Sequence, residues 1–346
     1  MTARRGNFVA PKIMNLRPPL LLATVLALAS GARGATPAPL DPALPAYQPQ
    51  GGLRGELHSV GADVMDVVTL GWIELFRAAH PKVAATIEAR APGTAIPALV
   101  NGWGHVGPIA RELFPHEEEQ FVEKFRYKPA AIRVATASYD RLGTAQTVAF
   151  YVHADNPLAS LTLEQVREIY AKAGAIVKWG QLGLTGDWAE RPIELWGLRR
   201  PSGVANFLQA RALGGREFRT GINERVNQDD VPALDAITTG VAASRLAIGY
   251  SGLGSLRSGI RALPLAERAG GPAVAPTPEN VASHRYPLAR FVYIYVNRPP
   301  NKPLDANVRE FLRLVLSREG QAVVARQGLY VPLTAALARE ELARLE

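Results

Sequence analysis

The sequence predicts a mixed α/β fold built as two lobes. A chain of 346 residues is long enough for about two domains, since a domain typically has roughly 150 residues. Its 31 glycines and 27 prolines favour many short connections between strands and helices over a long helical bundle. Strand-like and helix-like segments alternate, and the last region returns to the pattern of the first. Two lobes joined by more than one crossing are the simplest arrangement, and such lobes close around a ligand.

The first 32 residues are predicted to form a secretory signal peptide. Basic residues precede the apolar run at residues 20–29, small residues follow it, and the run is too short to span a bilayer comfortably. We expect cleavage after Ala32, with Ala35 as a second candidate. Met14 is an alternative start, because it opens a compact signal by itself. We therefore expect a periplasmic or secreted protein, with an N-terminal membrane anchor as the alternative.

The rest of the chain is predicted to contain a linker and two lobes. Residues 33–55 are assigned to the linker, because the stretch after the leader is rich in Pro and Ala. Lobe 1 is predicted to comprise residues 56–152 and 251–346. Lobe 2 is predicted to be an insertion of residues 153–250, because a strand ends at the turn His153-Ala154-Asp155-Asn156-Pro157.

Local patterns predict the following elements in order. A helix follows the turn at residues 61–63, strands occupy residues 83–88, 131–138 and 147–152, and a helix opens with a capping box of Thr162 and Gln165. Next come a Trp/Gly-rich loop at residues 179–188, a strand at 193–197, a helix after Ser202-Gly203 and a buried strand at 246–250. A central strand at residues 291–297 precedes two helices, the second of which opens at Ser317 and stops at Gly328.

Charge and cysteine content exclude several classes of function. The net charge of +8 falls to +4 without the basic leader, and this mild, dispersed excess does not form the basic stripe that nucleic-acid binding needs. The absence of cysteine excludes disulfides, thiolate zinc sites, Cys nucleophiles and a lipid anchor on cysteine. The six histidines show no metal-binding spacing, so we expect neither a metal nor a cofactor.

Three turn-to-helix junctions are candidate anion sites. They lie at residues 61–64, 91–95 and 199–204. Each exposes backbone N–H groups at the positive end of a helix dipole, although a glycine at a helix start often serves capping alone. Two junctions fall in the first region and one in the second, which is the arrangement that a ligand in a cleft between lobes would require.

The order and spacing of several motifs resemble those of the PstS-like phosphate-binding proteins of bacterial ABC importers, from about Glu56 to Leu337. The motifs are residues 61–65, Gly107-Pro108-Ile109-Ala110-Arg111-Glu112, Asn156-Pro157-Leu158 with residues 161–166, Ser202-Gly203, Ile248-Gly249-Tyr250, Tyr286-Pro287-Leu288-Ala289-Arg290 and residues 316–321. The resemblance implies a two-lobed periplasmic-binding-protein fold, with lobes joined by hinge crossings and a tetrahedral oxyanion bound in the cleft.

The resemblance also implies a set of ligand-binding residues: Ala62, Asp63, Val64, Thr94, His105, Arg111, Arg199, Arg200, Ser202 and Gly203. One of the two adjacent arginines is expected to face solvent. Hydroxyl residues of the family are absent at Ala110 and Val204, and the family's acid is replaced by His105.

Asp63 stands where the family has a hydroxyl or neutral group, so it is a candidate acceptor for a ligand proton. The alternative is that Asp63 caps the following helix and His105 faces solvent.

The function that the resemblance implies is capture of inorganic phosphate or a related oxyanion in the periplasm for the permease of an ABC importer. The protein is expected to be monomeric, non-enzymatic and without a nucleic-acid partner. The alternative is a secreted protein that keeps the fold while its cleft has drifted, acting in adhesion, sensing or scaffolding. A hydrolase is not favoured, because Ser202 has no His/Asp partners at recognisable spacing.

Overall fold

A computed structural model describes residues 40–141, 144–228 and 231–346. The predicted signal peptide and the first part of the predicted linker lie outside the described residues. Within the described part of the chain, no helix combines the length and apolar character needed to cross a membrane.

The described residues form strands and helices that alternate along the chain. The strands are β1 (Gly55–Ala62), β2 (Val83–Arg90), β3 (Val106–Ile109), β4 (Ala130–Thr136), β5 (Val148–His153), β6 (Leu161–Thr162), β7 (Glu194–Leu198), β8 (Asn223–Arg225), β9 (Ala247–Gly252), β10 (Ile260–Ala262), β11 (Leu265–Ala266) and β12 (Phe291–Val296). The helices are α1 (Asp66–Ala79), α2 (Ala95–Asn101), α3 (Pro115–Phe125), α4 (Leu163–Tyr170), α5 (Gly203–Arg211), α6 (Ala233–Ala243), α7 (Pro278–Ala282), α8 (Ala306–Val315), α9 (Arg318–Gln327) and α10 (Ala335–Ala343). Short 3-10 turns occupy Asp63–Met65, Pro92–Thr94, Trp179–Leu182, Gly186–Trp188 and Leu253–Ser255.

Lobe 1 is built on a sheet with strand order β2-β1-β3-β12-β4. Strands β1, β2 and β3 run parallel, and β12 runs antiparallel to both of its neighbours. One face carries a core contributed by α1, α8, α9 and α10, and the other face is covered by α2 and α3. Trp72 on α1 is fully buried, and its indole N–H donates to Gly320 O at 2.8 Å, which ties α1 to α9.

Lobe 2 is built on a second sheet with strand order β10-β5-β9-β7-β8. Strands β7, β8 and β9 are parallel, whereas β5 and β10 are antiparallel to their neighbours. Phe150, Tyr170 and Tyr250 pack ring against ring at the centre of its core. The Tyr170 hydroxyl donates to Ile248 O at 3.1 Å, so the polar end of this buried ring is satisfied. The two sheets confirm the predicted α/β class.

The lobe boundaries lie elsewhere than the sequence predicted. Strand β5, which was expected in lobe 1, pairs with β9 in the sheet of lobe 2. The core of lobe 2 also continues past residue 250 and includes Leu263, Val281 and Leu288. The chain therefore crosses between lobes after β4 and again before β12. Periodicity predicted these strands but could not identify the strands with which they pair.

The predicted linker is structured from residue 40 onward, which corrects that part of the prediction. Leu44 is only 1% exposed and belongs to the core of lobe 1. Tyr47 packs beside α8, where its hydroxyl donates to Glu310 Oε1 at 2.8 Å. Residues 40–50 therefore form a packed N-terminal segment. The few apolar residues of this segment are enough to hold it in place, because α8, α9 and α10 supply the surface against which they pack.

Several local signals in the sequence are confirmed. Thr162 Oγ1 accepts the Gln165 backbone N–H at 3.0 Å, and Gln165 Oε1 accepts the Thr162 backbone N–H at 2.9 Å. Together these hydrogen bonds form the capping box of α4. Ser317 caps α9, which ends at Gly328 with a φ of 63°. Each signal depends only on residues within one turn of its helix.

Gly61 on β1 is required by the close approach of β3. A Cβ at this position would lie 2.2 Å from Pro108 O, and a backbone carbonyl held in a sheet cannot move aside cheaply. We expect Gly61→Ala to lower the free energy of unfolding by about 1–3 kcal/mol, as measured by urea denaturation. Gly51→Ala is the matched control, because its Cβ would meet nothing within 4 Å. Equal losses in the two variants would contradict this account of Gly61.

His284 is expected to make stability depend on pH. It lies in the second crossing, where its ring stacks on Phe291 at 3.7 Å between centroids and its Nε2 lies 2.8 Å from Thr136 Oγ1. Burial, with a smaller contribution from Arg133, lowers the pKa of His284 from its ordinary value of 6.5 to about 4. The unfolded chain therefore binds the proton more readily than the folded chain, so stability falls as pH decreases from about 6.5 toward 4.

The expected loss from His284 is roughly 2–3 kcal/mol across that range, since each pKa unit corresponds to about 1.4 kcal/mol. Urea titrations of the wild type and His284→Asn at several pH values measure it. Asn tolerates the positive φ of 54° at this position. The variant should lose less stability on acidification, and superimposable pH profiles would show that another group is responsible.

Candidate functional site: a cationic cleft between the lobes

A cleft of about 480 Å³ lies between the two lobes. Lobe 1 contributes residues that follow β1 and β3, and lobe 2 contributes the ends of β7 and β8 and the start of α5. Ligand sites of α/β sheets characteristically lie outside the carboxyl ends of strands. The lining residues are Val64, Pro92, Ala110, Arg111, Thr144, Ala145, Gln146, Leu198, Arg199, Pro201, Ser202, Gly203, Val204, Arg225, Val226, Asn227, Ala233, Leu234 and Arg290. Among these described residues are four arginines and no carboxylate.

The N-terminus of α5 opens into this cleft. Ser202 is its N-cap, and its hydroxyl accepts the Ala205 N–H at 3.4 Å. The N–H groups of Gly203 and Val204 lie in the first turn of α5, where no preceding helical carbonyl can accept them, so they are free to bind an anion. The helix dipole adds partial positive charge at the same place. This is the third of the junctions predicted from the sequence, and the structure places it in the cleft.

Arg111 faces this helix from lobe 1. Its side chain is 14% exposed and binds Glu117 through two contacts of 2.6 and 2.8 Å. The guanidinium also donates to Glu112 O at 2.9 Å and lies 3.9 Å from the Phe114 ring centroid. A Cβ added at Gly203 would lie 3.1 Å from Arg111 Cδ, so the glycine lets the two lobes approach here. These contacts hold the guanidinium in place beside the helix.

Arg290 is a cleft residue that was not among the predicted site residues. It is 2% exposed, stands immediately before β12, and donates to Glu112 Oε2 at 2.8 Å. It also reaches lobe 2, with Gly203 O at 3.5 Å and the Phe207 ring centroid at 4.6 Å. Its Nε is buried and has no partner among the described residues. The only signal in the sequence was its place at the end of the motif Tyr286-Pro287-Leu288-Ala289-Arg290.

The structure brings half of the predicted site residues together in the cleft. They are Val64, Arg111, Arg199, Ser202 and Gly203. Ala110 and Val204, where the sequence lacks the family's hydroxyl groups, also line it. The cleft wall is therefore less polar at these two positions than the resemblance implied.

His105 lies away from the cleft, which corrects its predicted role. It precedes β3, whereas the cleft residues Ala110 and Arg111 follow that strand. Because a strand rises by about 3.3 Å per residue, the four residues of β3 separate His105 from the cleft, and His105 lies at the opposite end of the strand. There its Nδ1 accepts the His58 N–H at 2.8 Å, and the two imidazoles stack at 5.2 Å. Burial, together with the neighbouring His58, lowers the pKa of His105, so this ring is not a cationic ligand for an anion.

The other predicted residues lie outside the cleft lining. Ala62 is buried at the end of β1, and Asp63 is exposed, with its carboxylate accepting the Val64 N–H at 2.9 Å. The Thr94 hydroxyl is used within its own turn, donating to Ala91 O at 2.7 Å, and Pro92 lines the cleft in its place. Arg200 lies over the Phe218 ring at 5.2 Å, so Arg199 is the one of the two arginines that lines the cleft.

Comparisons with known proteins identify close counterparts of this chain. A model of the PBP superfamily domain matches residues 46–319. The phosphate-binding protein PstS from Pseudomonas aeruginosa strain PAO1 is 37% identical over 338 residues, which cover 96% of this chain and 99% of that protein. The same values apply to PstS from strain UCBPP-PA14.

Solved structures share the fold at lower identity. PstS from Borrelia burgdorferi matches with a TM-score of 0.55 and 18% identity, covering 81% of this chain and all of that one. An ABC-type phosphate transport receptor from Vibrio cholerae matches with a TM-score of 0.52 and 18% identity, covering 80% of this chain and 99% of that one. At this identity the similarity shows the fold alone.

Proposed function

Because this chain belongs to the PstS family within the PBP superfamily, we propose that it captures phosphate, or a closely related oxyanion, between its two lobes. The observation that carries the proposal is the convergence of the α5 N-terminus with Arg111 and Arg290 in one cleft. The helix offers the N–H groups of Gly203 and Val204, and the arginines supply charge within a partly desolvated space. Charge-assisted hydrogen bonds of this kind are about twice as strong as neutral ones.

The contacts between lobes suit capture by closure. Arg290, immediately before β12, contacts both Glu112 of lobe 1 and Gly203 of lobe 2. Nearby, Asn206 on α5 donates to Leu113 O at 3.4 Å. These contacts lie beside the anion site, so an anion bound there would join groups of both lobes and favour the closed arrangement.

The protein is proposed to act in the periplasm, where it would deliver its ligand to the permease of an ABC importer without catalysing a reaction. The predicted signal peptide and the family support this location and partner. The alternative of a drifted cleft serving adhesion or scaffolding is less well supported, because Arg111, Ser202 and Gly203 are present and gathered in the cleft.

Calorimetric titration and thermal unfolding with inorganic phosphate test the proposal. Saturable binding should raise the unfolding temperature progressively, since a ligand at 100 times its Kd stabilises the folded state by about 2.7 kcal/mol. Titration with sulfate at equal ionic strength measures selectivity. An unfolding temperature that does not respond to millimolar phosphate, together with no heat of binding, would reject phosphate capture and favour the scaffold alternative.

A further inference from the structure

Arg199 and Arg225 form a second cationic group in the cleft, on the side of lobe 2. They stand at the carboxyl ends of the parallel strands β7 and β8, where Leu198 is aligned with Arg225. The Arg199 N–H donates to Arg225 O at 2.9 Å, so the two backbones are hydrogen-bonded neighbours. Both residues line the cleft. The sheet therefore fixes the backbones of these two arginines beside each other at one end of the binding space.

The Arg225 guanidinium is held in place but not neutralised among the described residues. It lies 4.4 Å from the Trp196 ring centroid and donates to Glu224 O at 3.1 Å. Stacking on an aromatic ring orients a guanidinium without removing its charge. Arg111 and Arg290, by contrast, each bind a glutamate. Within the described part of the chain, Arg199 and Arg225 form no ion pair with a carboxylate, so their charges add in the cleft.

The cleft is also larger than phosphate requires. Its volume is about 480 Å³. Water occupies about 30 Å³ per molecule in the liquid, so a five-atom oxyanion needs on the order of 100 Å³. Two apolar side chains of lobe 2, Val226 and Leu234, also line the cleft. An anion at the α5 N-terminus therefore leaves room for a second group toward Arg199 and Arg225.

We propose that the cleft accepts oxyanions with two linked phosphoryl groups, for which inorganic diphosphate is the simplest probe. One phosphoryl group binds at the α5 N-terminus beside Arg111, and the other binds between Arg199 and Arg225. The inference rests on the proposed phosphate site, since the first group uses that site. Arg199 and Arg225 then determine which ligands bind, whereas Gly203 and Arg111 provide the common anchor.

Calorimetric titrations with phosphate and with diphosphate, at constant pH and ionic strength, test the assignment. We expect Arg225→Ala to weaken diphosphate binding at least tenfold and phosphate binding less than threefold. Arg216→Ala is the matched control, because it removes the same charge from an exposed residue of lobe 2 that does not line the cleft. It should leave the ratio of the two affinities unchanged.

Two acidic residues, Asp229 and Asp230, lie outside the described residues and close to Arg225 in sequence. Asp229→Asn/Asp230→Asn should keep diphosphate affinity within threefold of the wild type. A tenfold gain would mean that these acids neutralise the arginines, which would overturn the assignment. It is also overturned if phosphate binds but diphosphate does not, or if Arg225→Ala weakens both anions equally. Failure of both anions to bind would reject the phosphate site as well.

Discussion

Glu310→Ala is expected to lower the free energy of unfolding by about 3–5 kcal/mol, the range typical of breaking a buried charge network. Glu310 on α8 is 1% exposed. It accepts the Tyr47 hydroxyl at 2.8 Å, the Gln50 N–H at 2.9 Å and the Arg313 guanidinium at 2.6 Å. Removing the carboxylate leaves these donors without their acceptor and detaches the N-terminal segment from α8.

The same network sets the protonation of His80. The Tyr47 hydroxyl has one proton, which it donates to Glu310, so the contact of 2.6 Å with His80 Nε2 requires that this nitrogen carry a proton. Burial lowers the pKa of His80, so its neutral form with Nε2 protonated is the form that fits.

Urea denaturation of Glu310→Ala and Glu74→Ala measures the effect of the buried network. Glu74 is exposed on α1, so its removal should change stability by less than about 0.5 kcal/mol. Similar losses in the two variants would show that the buried network contributes no more than an exposed glutamate does.

Arg111→Ala is expected to weaken phosphate binding by about 30- to 1,000-fold, equivalent to 2–4 kcal/mol. The substitution removes a guanidinium that is held beside the α5 N-terminus. It also leaves Glu117, which is 4% exposed, as a buried carboxylate without its cation. That second effect should destabilise the fold, so binding and stability must be measured on the same variant.

The double variant Arg111→Ala/Glu117→Gln separates the two effects. Neutralising Glu117 should recover part of the lost stability, because the unpaired charge is removed. Phosphate affinity should stay low, because the guanidinium is still absent. If the second substitution instead restores affinity, the loss in Arg111→Ala came from repulsion by Glu117, and Arg111 does not bind the anion.

Local structure was predictable because its causes are local. The capping box of Thr162 and Gln165 spans three residues, and Gly328 ends α9 through its own positive φ. The start of α5 was predictable from the Ser202-Gly203 junction for the same reason. Such signals can be recognised without knowing what lies across the fold.

The remainder of the site depends on residues far apart in sequence. Arg290 acquires its role from Glu112, which lies 178 positions away, and only the pairing of β12 with β3 brings them together. The prediction that His105 binds the ligand was wrong because the four residues of β3 separate it from the cleft, so it lies at the opposite end of that strand. Residues 40–50 were misassigned because composition does not reveal a packing surface formed by the last helices of the chain.

Both ends of the described chain complete lobe 1. Asp41 Oδ2 accepts the Ala335 N–H at 2.8 Å, Arg339 donates to Ala43 O at 2.7 Å, and Arg318 donates to Leu44 O at 3.1 Å. During synthesis the N-terminal segment lacks these partners until α9 and α10 have been made. Contacts between such distant residues also form slowly. Lobe 1 therefore completes its fold only after nearly the whole chain has been made, and the N-terminal segment is among the last parts to pack.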